Sequence, residues 1–145
     1  MTEPGGPAWR QTTFFPFSLT SRLAGERAIS VAVESGTFES ERFGAVPNVN
    51  AVATVDDDGA TLFVVNRSTT DAEDLRIDVS ALATDPGAAV SIVESHLLHD
   101  DDRYAANTLD DPDRVGVVPV PGIALDDDVL SLSLPPISWA AIRLG

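Results

Sequence analysis

At 145 residues, with 43% hydrophobic and 22% charged side chains, the chain is long enough to fold around one core. It has no cysteine, which excludes disulfides and thiolate metal sites, and two histidines, too few for a histidine-rich metal cluster. All nine basic residues are arginines against 23 acids, and the net charge of −14 opposes nucleic acid and anionic membranes but not a neutral polysaccharide.

No apolar run approaches the roughly 20 residues that span a bilayer. Met1-Thr-Glu-Pro-Gly-Gly lacks the basic and apolar regions of a signal peptide, so the chain as given reads as cytoplasmic. Residues 1–7 are turn-like, with Pro4, Gly5, Gly6 and Pro7 together. Residues 8–24 place Trp9, Phe14, Phe15, Phe17, Leu19 and Leu23 at roughly helical spacing, with Gly25 as a C-cap. Pro16 should break or kink that helix, because it removes a backbone donor and clashes with the preceding turn. Three phenylalanines within four positions need burial that a lone helix cannot supply.

From residue 28 the pattern turns to strands. Alternation predicts them over 29–33, 75–79 and 129–134, and further strands over 89–98, 115–120 and 137–144. Residues 50–55 and 60–65 flank Asp56-Asp-Asp-Gly59, an Asp-Gly hairpin turn. The polar stretch 99–114 is too long for a tight turn and should cross between sheets or lie over one end. Many short strands and almost no helix predict an antiparallel β-sandwich.

Few residues carry candidate chemistry. The clusters Asp56–Asp58, Asp100–Asp102, Asp110-Asp111 with Asp113, and Asp126–Asp128 have the hard oxygens calcium favours. None has EF-hand spacing, and two sit at hairpin turns, where aspartate is a good turn former. His96 and His99 are three apart in or after a strand, which sends them to opposite faces and argues against a shared metal. Glu34, Glu39 and Glu41 are the only close glutamates, and nothing marks them as a buried glycosidic pair. No nucleophile elbow, phosphate loop or zinc motif occurs, so no catalytic residue, metal or cofactor is expected.

One resemblance organises these observations. Gly5-Gly-Pro-Ala-Trp-Arg-Gln-Thr-Thr-Phe-Phe-Pro-Phe17 resembles the end of the catalytic barrel in α-L-arabinofuranosidases of glycoside hydrolase family 51. Phe43-Gly-Ala-Val-Pro47, Asn66-Arg-Ser68, the Asn107-Thr…Pro112…Val115 segment and Leu134-Pro-Pro-Ile-Ser138 match further family landmarks in order. The resemblance covers essentially the whole chain. It implies a jelly-roll-like β-sandwich over 28–145, preceded over 1–27 by the last strand, loop and helix of a truncated (β/α)₈ barrel. It implies that Met1 is an internal methionine of a longer protein, and that both catalytic glutamates of this retaining hydrolase lie on sequence absent here. Gln11 would sit near the sugar, hydrogen-bonding an arabinose hydroxyl, with Trp9 as a nearby aromatic, consistent with active sites at the C-terminal ends of barrel strands.

The chain is therefore expected to be the C-terminal part of such an enzyme and inactive alone. Its partner in the parent would be an arabinose-containing oligo- or polysaccharide, and the parent a homo-oligomer. Two alternatives stand beside it. One is a non-catalytic carbohydrate-binding module, for which Trp139, Tyr104, Phe38, Phe43 and Phe63 are the available aromatics, Phe63 and Trp139 being expected in the core. The other is a subunit that complements a separately encoded barrel.

Overall fold

The computed structural model describes residues 5–82 and 89–145, so the reading of Met1 and part of the turn-rich start lie outside the described residues. Within them, helix α1 (Phe14–Leu23) precedes β1 (Arg27–Ile29), β2 (Thr37–Ser40), β3 (Gly44–Pro47), β4 (Val49–Asp56), β5 (Gly59–Asn66) and β6 (Glu73–Asp78). A 3₁₀ turn (Ser80–Leu82) leads on to β7 (Ile92–Leu98), β8 (Val117–Val118), β9 (Ala124–Asp126), β10 (Val129–Leu134) and β11 (Ser138–Leu144). One sheet has the order β1-β4-β5-β11-β7-β8, a second β6-β10-β9, and β2-β3 form a separate hairpin. Every pairing is antiparallel.

The chain changes sheet from β5 to β6, back from β6 to β7, again from β8 to β9, and from β10 to β11. These crossings bring the last strand between β5 and β7, and they build the jelly-roll-like sandwich that the sequence predicts. Between the sheets lie Leu62 and Val64 of β5, Ala140, Ile142 and Leu144 of β11, and Leu130, Leu132 and Leu134 of β10. On the opposite face of the large sheet, Phe63 and Ala141 pack with Leu19 and Leu23 of α1. β5 and β11 are thus covered on both faces, which is why residues 60–65 run nearly continuously apolar where β10 alternates.

Several local expectations change. The helix starts at Phe14 rather than near residue 8, with Thr13 at its N-cap. Pro16 is therefore in the first turn, where its missing N–H would have no helical partner anyway, and the expected break does not occur. Gly25 is not a left-handed cap: the helix ends at Ala24 in extended conformation. Gly25 is required for another reason, since a Cβ there would stand 2.5 Å from the Val55 carbonyl carbon.

The strand expected over 29–33 ends at Ile29, the last residue paired with β4. Beyond it the chain leaves the edge, and Gly36 O instead accepts from Asn48 N while Ser35 Oγ accepts from Val49 N. The strand expected over 115–120 shrinks to Val117–Val118, because Val115 N is bonded to the Asn107 side chain, Pro119 has no donor and Val120 N bonds Ser95 Oγ. Residues 99–114 do not cross between sheets, since β7 and β8 pair with each other through Leu97↔Val118 and Leu98↔Val117. β2, β3 and β9, unforeseen in the sequence, are short and mostly exposed.

The hairpin between β4 and β5 forms as expected, with Asp57 and Asp58 as its loop. Gly59 opens the return strand at φ 141°, with the Leu144 carbonyl where a Cβ would be. Asp127 and Asp128, at φ 45° and 63°, make the two-residue turn between β9 and β10, a geometry that aspartate tolerates better than most residues.

Replacing a side chain shut between the sheets should be far costlier than trimming one on the surface. Ile142→Ala, at 0% exposure, is expected to lower the unfolding free energy by about 2–5 kcal/mol. Val93→Ala, at 61% exposure, should stay within about 0.5 kcal/mol, both measured by urea denaturation.

Candidate functional site

The segment before α1 is fixed to the sandwich by one buried side chain. Asn107, 2% exposed in the loop between β7 and β8, donates from Nδ2 to the carbonyls of Arg10 and Val115, each at 2.9 Å. Its Oδ1 accepts from Val115 N at 2.7 Å, and its backbone carbonyl accepts from Trp9 Nε1 at 2.9 Å. A carboxamide offers donors and an acceptor in one plane, so a single asparagine ties two chain segments nearly a hundred positions apart.

The helix is held separately. Thr61 Oγ1 donates to Leu23 O at 2.5 Å, and Gly25 N donates to Thr54 Oγ1 at 2.9 Å. Arg22 makes two parallel 2.9 Å bonds to the Glu94 carboxylate on β7, and His96 Nε2 lies 2.6 Å from Glu94 Oε2. The Arg22 guanidinium foremost, with the His96 ring, holds the Glu94 carboxyl down at about 2 from an ordinary 4.5.

These anchors leave an open depression of about 510 Å³ along the segment, walled by Trp9, Arg10, Gln11, Thr13, Phe14 and Phe17. The Arg10 guanidinium lies 5.1 Å from the Phe14 ring centroid. Gln11 is exposed, and its backbone carbonyl accepts from Phe14 N at the start of the helix. Its carboxamide makes no hydrogen bond among the described residues, leaving a donor and an acceptor free at the rim. Phe17 is 79% exposed and Phe14 44%, so this edge is apolar as well as open. A second depression, of about 540 Å³, lies between the 99–105 stretch and the ends of β5 and β11, with Arg67, His99, Ile137 and Trp139 on its walls.

The remaining candidates scatter. Glu34, Glu39 and Glu41 are all exposed, on coil, β2 and the β2–β3 turn. His96 faces Glu94, whereas His99 faces Asp101 at 3.2 Å, so the two histidines have separate partners. Asp56 pairs with Arg143, Asp100 and Asp102 with Arg114, and Asp127 and Asp128 form a turn. Phe63 is in the core with Trp139 stacked on it at 6.1 Å. Tyr104 and Phe43, 82% and 71% exposed, lie on different elements, each beside its own neighbouring arginine. In the sequence Asn107 stands only as a landmark of the resemblance. Its role had no local signal, because a polar loop residue normally faces water.

The described residues form an antiparallel β-sandwich domain with an N-terminal helix on its outer face, and among them no set of acids or nucleophiles converges. The family model described as the α-L-arabinofuranosidase C-terminal domain matches residues 1–138, and the chain belongs to that family. It is 47% identical over 148 residues to the exo-α-(1→6)-L-arabinofuranosidase of Bifidobacterium longum, covering 99% of this chain and 27% of that protein. It is 43% identical over 144 residues to the intracellular exo-α-(1→5)-L-arabinofuranosidase of Streptomyces lividans, covering 99% of this chain and 21% of that protein. Among solved structures, a family 51 α-L-arabinofuranosidase from Bifidobacterium longum superposes with a TM-score of 0.89 at 36% identity, over 99% of this chain and 27% of that one. The chain thus spans about a quarter of the length of such relatives, corresponding to their C-terminal domain. Among the described residues, no helix is long and apolar enough to cross a membrane.

The Glu94 carboxyl is depressed in the folded state, so its contribution to stability is present above about pH 4.5 and is lost as the pH falls towards 2. Acid titration of the unfolding free energy should show a decline across that window. Glu94→Gln is expected to flatten it, and an unchanged profile would remove Glu94 from the account.

Proposed function

We propose that this chain is the non-catalytic C-terminal part of a retaining α-L-arabinofuranosidase, with the hydrolytic carboxylates on the portion of the relatives that its residues do not match. Residues 1–27 are then the closing strand, loop and helix of the catalytic barrel, and 28–145 the sandwich that braces it. Gln11 and Trp9 are the substrate-contacting residues: Gln11 bonds a hydroxyl of a terminal arabinofuranosyl group, and the Trp9 ring lines the same edge. The partner is an arabinose-containing oligo- or polysaccharide, to which the −14 charge presents no obstacle. A cytoplasmic location follows the relatives whose names include "intracellular", and the resemblance favours a homo-oligomeric parent.

The observation that carries this reading is the open rim of Trp9, Gln11, Phe14 and Phe17 on a segment that the sandwich holds through two hydrogen bonds to Asn107. Apolar rings exposed in this way are surface for further protein rather than for water. Gln11, with an unused donor and acceptor beside an indole, has the chemistry that recognises a sugar hydroxyl.

Purified as given, the chain should release no aryl alcohol from an aryl α-L-arabinofuranoside. Joined behind the barrel region of the Bifidobacterium longum relative, it should restore turnover, and Gln11→Ala should then lower kcat/KM about 2- to 12-fold, equivalent to about 0.5–1.5 kcal/mol, the range for a hydrogen bond between neutral groups. Turnover by the isolated chain would overturn the reading.

A further inference from the structure

We infer that Asn107 is a positioning residue for the sugar-contacting edge, so that the sandwich sets the placement of Trp9, Arg10 and Gln11 as well as bracing the fold. The inference rests on the proposed role of Gln11 and Trp9 and goes beyond it, by assigning control of those residues to a side chain of the other domain.

Four bonds converge on this residue, and their division is informative. Two of them, from Nδ2 to Val115 O and from Val115 N to Oδ1, close the loop between β7 and β8 on itself. The other two reach across to the N-terminal segment: Nδ2 to Arg10 O, and Trp9 Nε1 to Asn107 O. Asn107 therefore fixes the backbone immediately before Gln11 and the indole immediately before that, using groups that are themselves immobilised by the loop. After Gln11, Phe14 N bonds the Gln11 carbonyl and α1 begins, held on the sheet by Leu19, Leu23 and Thr61. Gln11 is thus held between two anchors while its own side chain stays free.

No water-exposed surface residue could do this as well. At 2% exposure, Asn107 cannot exchange its bonds for solvent, so truncation to alanine removes the partner of the Arg10 and Val115 carbonyls and of the Val115 amide. The Trp9 Nε1 bond to the backbone carbonyl of residue 107 survives, so the segment keeps its helix and loses one of its two forward bonds. A misplacement of the order of 1 Å in a group that orients substrate lowers kcat/KM by up to about 100-fold even when the altered residue is far from the chemistry.

Two measurements test this. In the chain as given, Asn107→Ala should raise exchange of the Phe14 and Phe15 amides, which bond the Gln11 and Thr12 carbonyls, at least tenfold while amides of β5 and β11 keep their protection. Trp9→Phe, which removes the indole donor and trims the ring but leaves the Asn107 side chain in place, should raise the same amides less. In the chain joined behind the barrel region of the Bifidobacterium longum relative, both variants should lower kcat/KM, mostly through KM because the bond-breaking carboxylates stand elsewhere. The double variant should lose more than Asn107→Ala alone, since Asn107→Ala keeps the backbone carbonyl that accepts from Trp9 Nε1.

Unchanged exchange at Phe14 and Phe15 in both variants overturns the clamp. An active joined protein whose KM ignores both variants overturns the positioning role. A joined wild-type protein with no activity sinks the proposed function instead, and the exchange result still decides the clamp. If Asn107→Ala fails to fold, Asn107→Asp, which loses the Nδ2 donor and keeps Oδ1, carries both readouts.

Discussion

Burial of β5 and β11 on both faces is the constraint from which most of this molecule follows. Antiparallel sandwich strands usually hide one face and wet the other. Here Leu62, Val64, Ala140 and Ile142 meet the small sheet, while Phe63 and Ala141 on the alternate positions meet α1. A water-exposed Phe63 face would make the central strands an adhesive surface, so the helix is a necessary third layer. Its position is set by close approaches that leave little freedom: Gly25 lies against Val55, and Thr61 bonds the last turn of the helix.

That third layer gives the fold its polarity. One side of α1 is core, and its N-terminal end presents Phe14, Phe17, Arg10 and Gln11 outward. Arg22, on the same helix, reaches β7 through Glu94, adding a charged tie to the apolar contact. An exposed ion pair of this kind contributes little by itself, but its planar two-bond geometry fixes the rotation of the helix about its axis. The helix and the loop between β7 and β8 thus hold the segment before α1 from two directions, and a rim that looks like loose chain in projection is anchored at both ends.

Two buried asparagines serve the fold in the same way. Asn66, 1% exposed at the end of β5, donates to the carbonyls of Leu134 and Asp71 and accepts from Ser68 N, joining the exit of β5 to the β10–β11 connection. Asn107 does the equivalent at the other loop. Each carboxamide satisfies backbone groups that irregular chain would otherwise bury without partners. In both cases the asparagine belongs to a short motif that resembles the arabinofuranosidase family, and the structure supplies the physical reason for those motifs.

By itself the sequence determined the antiparallel sandwich, the Asp-rich hairpins, the helix before the strands and the family. These depend on local periodicity, on turn chemistry and on motifs that stand in order along the chain. It also holds the nearly continuous apolar run over 60–65, interrupted only by Thr61, which, unlike the alternation over 129–134, marks a strand covered on both faces. Tertiary structure alone decided that Gly25 is a contact rather than a cap, because the obstacle is the Val55 backbone thirty residues away. It alone decided that the strand expected over 29–33 ends at Ile29, since the chain there leaves the edge of β4, which runs on to Val49, and Ser35 and Gly36 bond Val49 and Asn48 instead. And it alone brought Asn107 to Trp9 and Arg10, for a hydrogen bond between distant segments leaves no periodic trace in either of them.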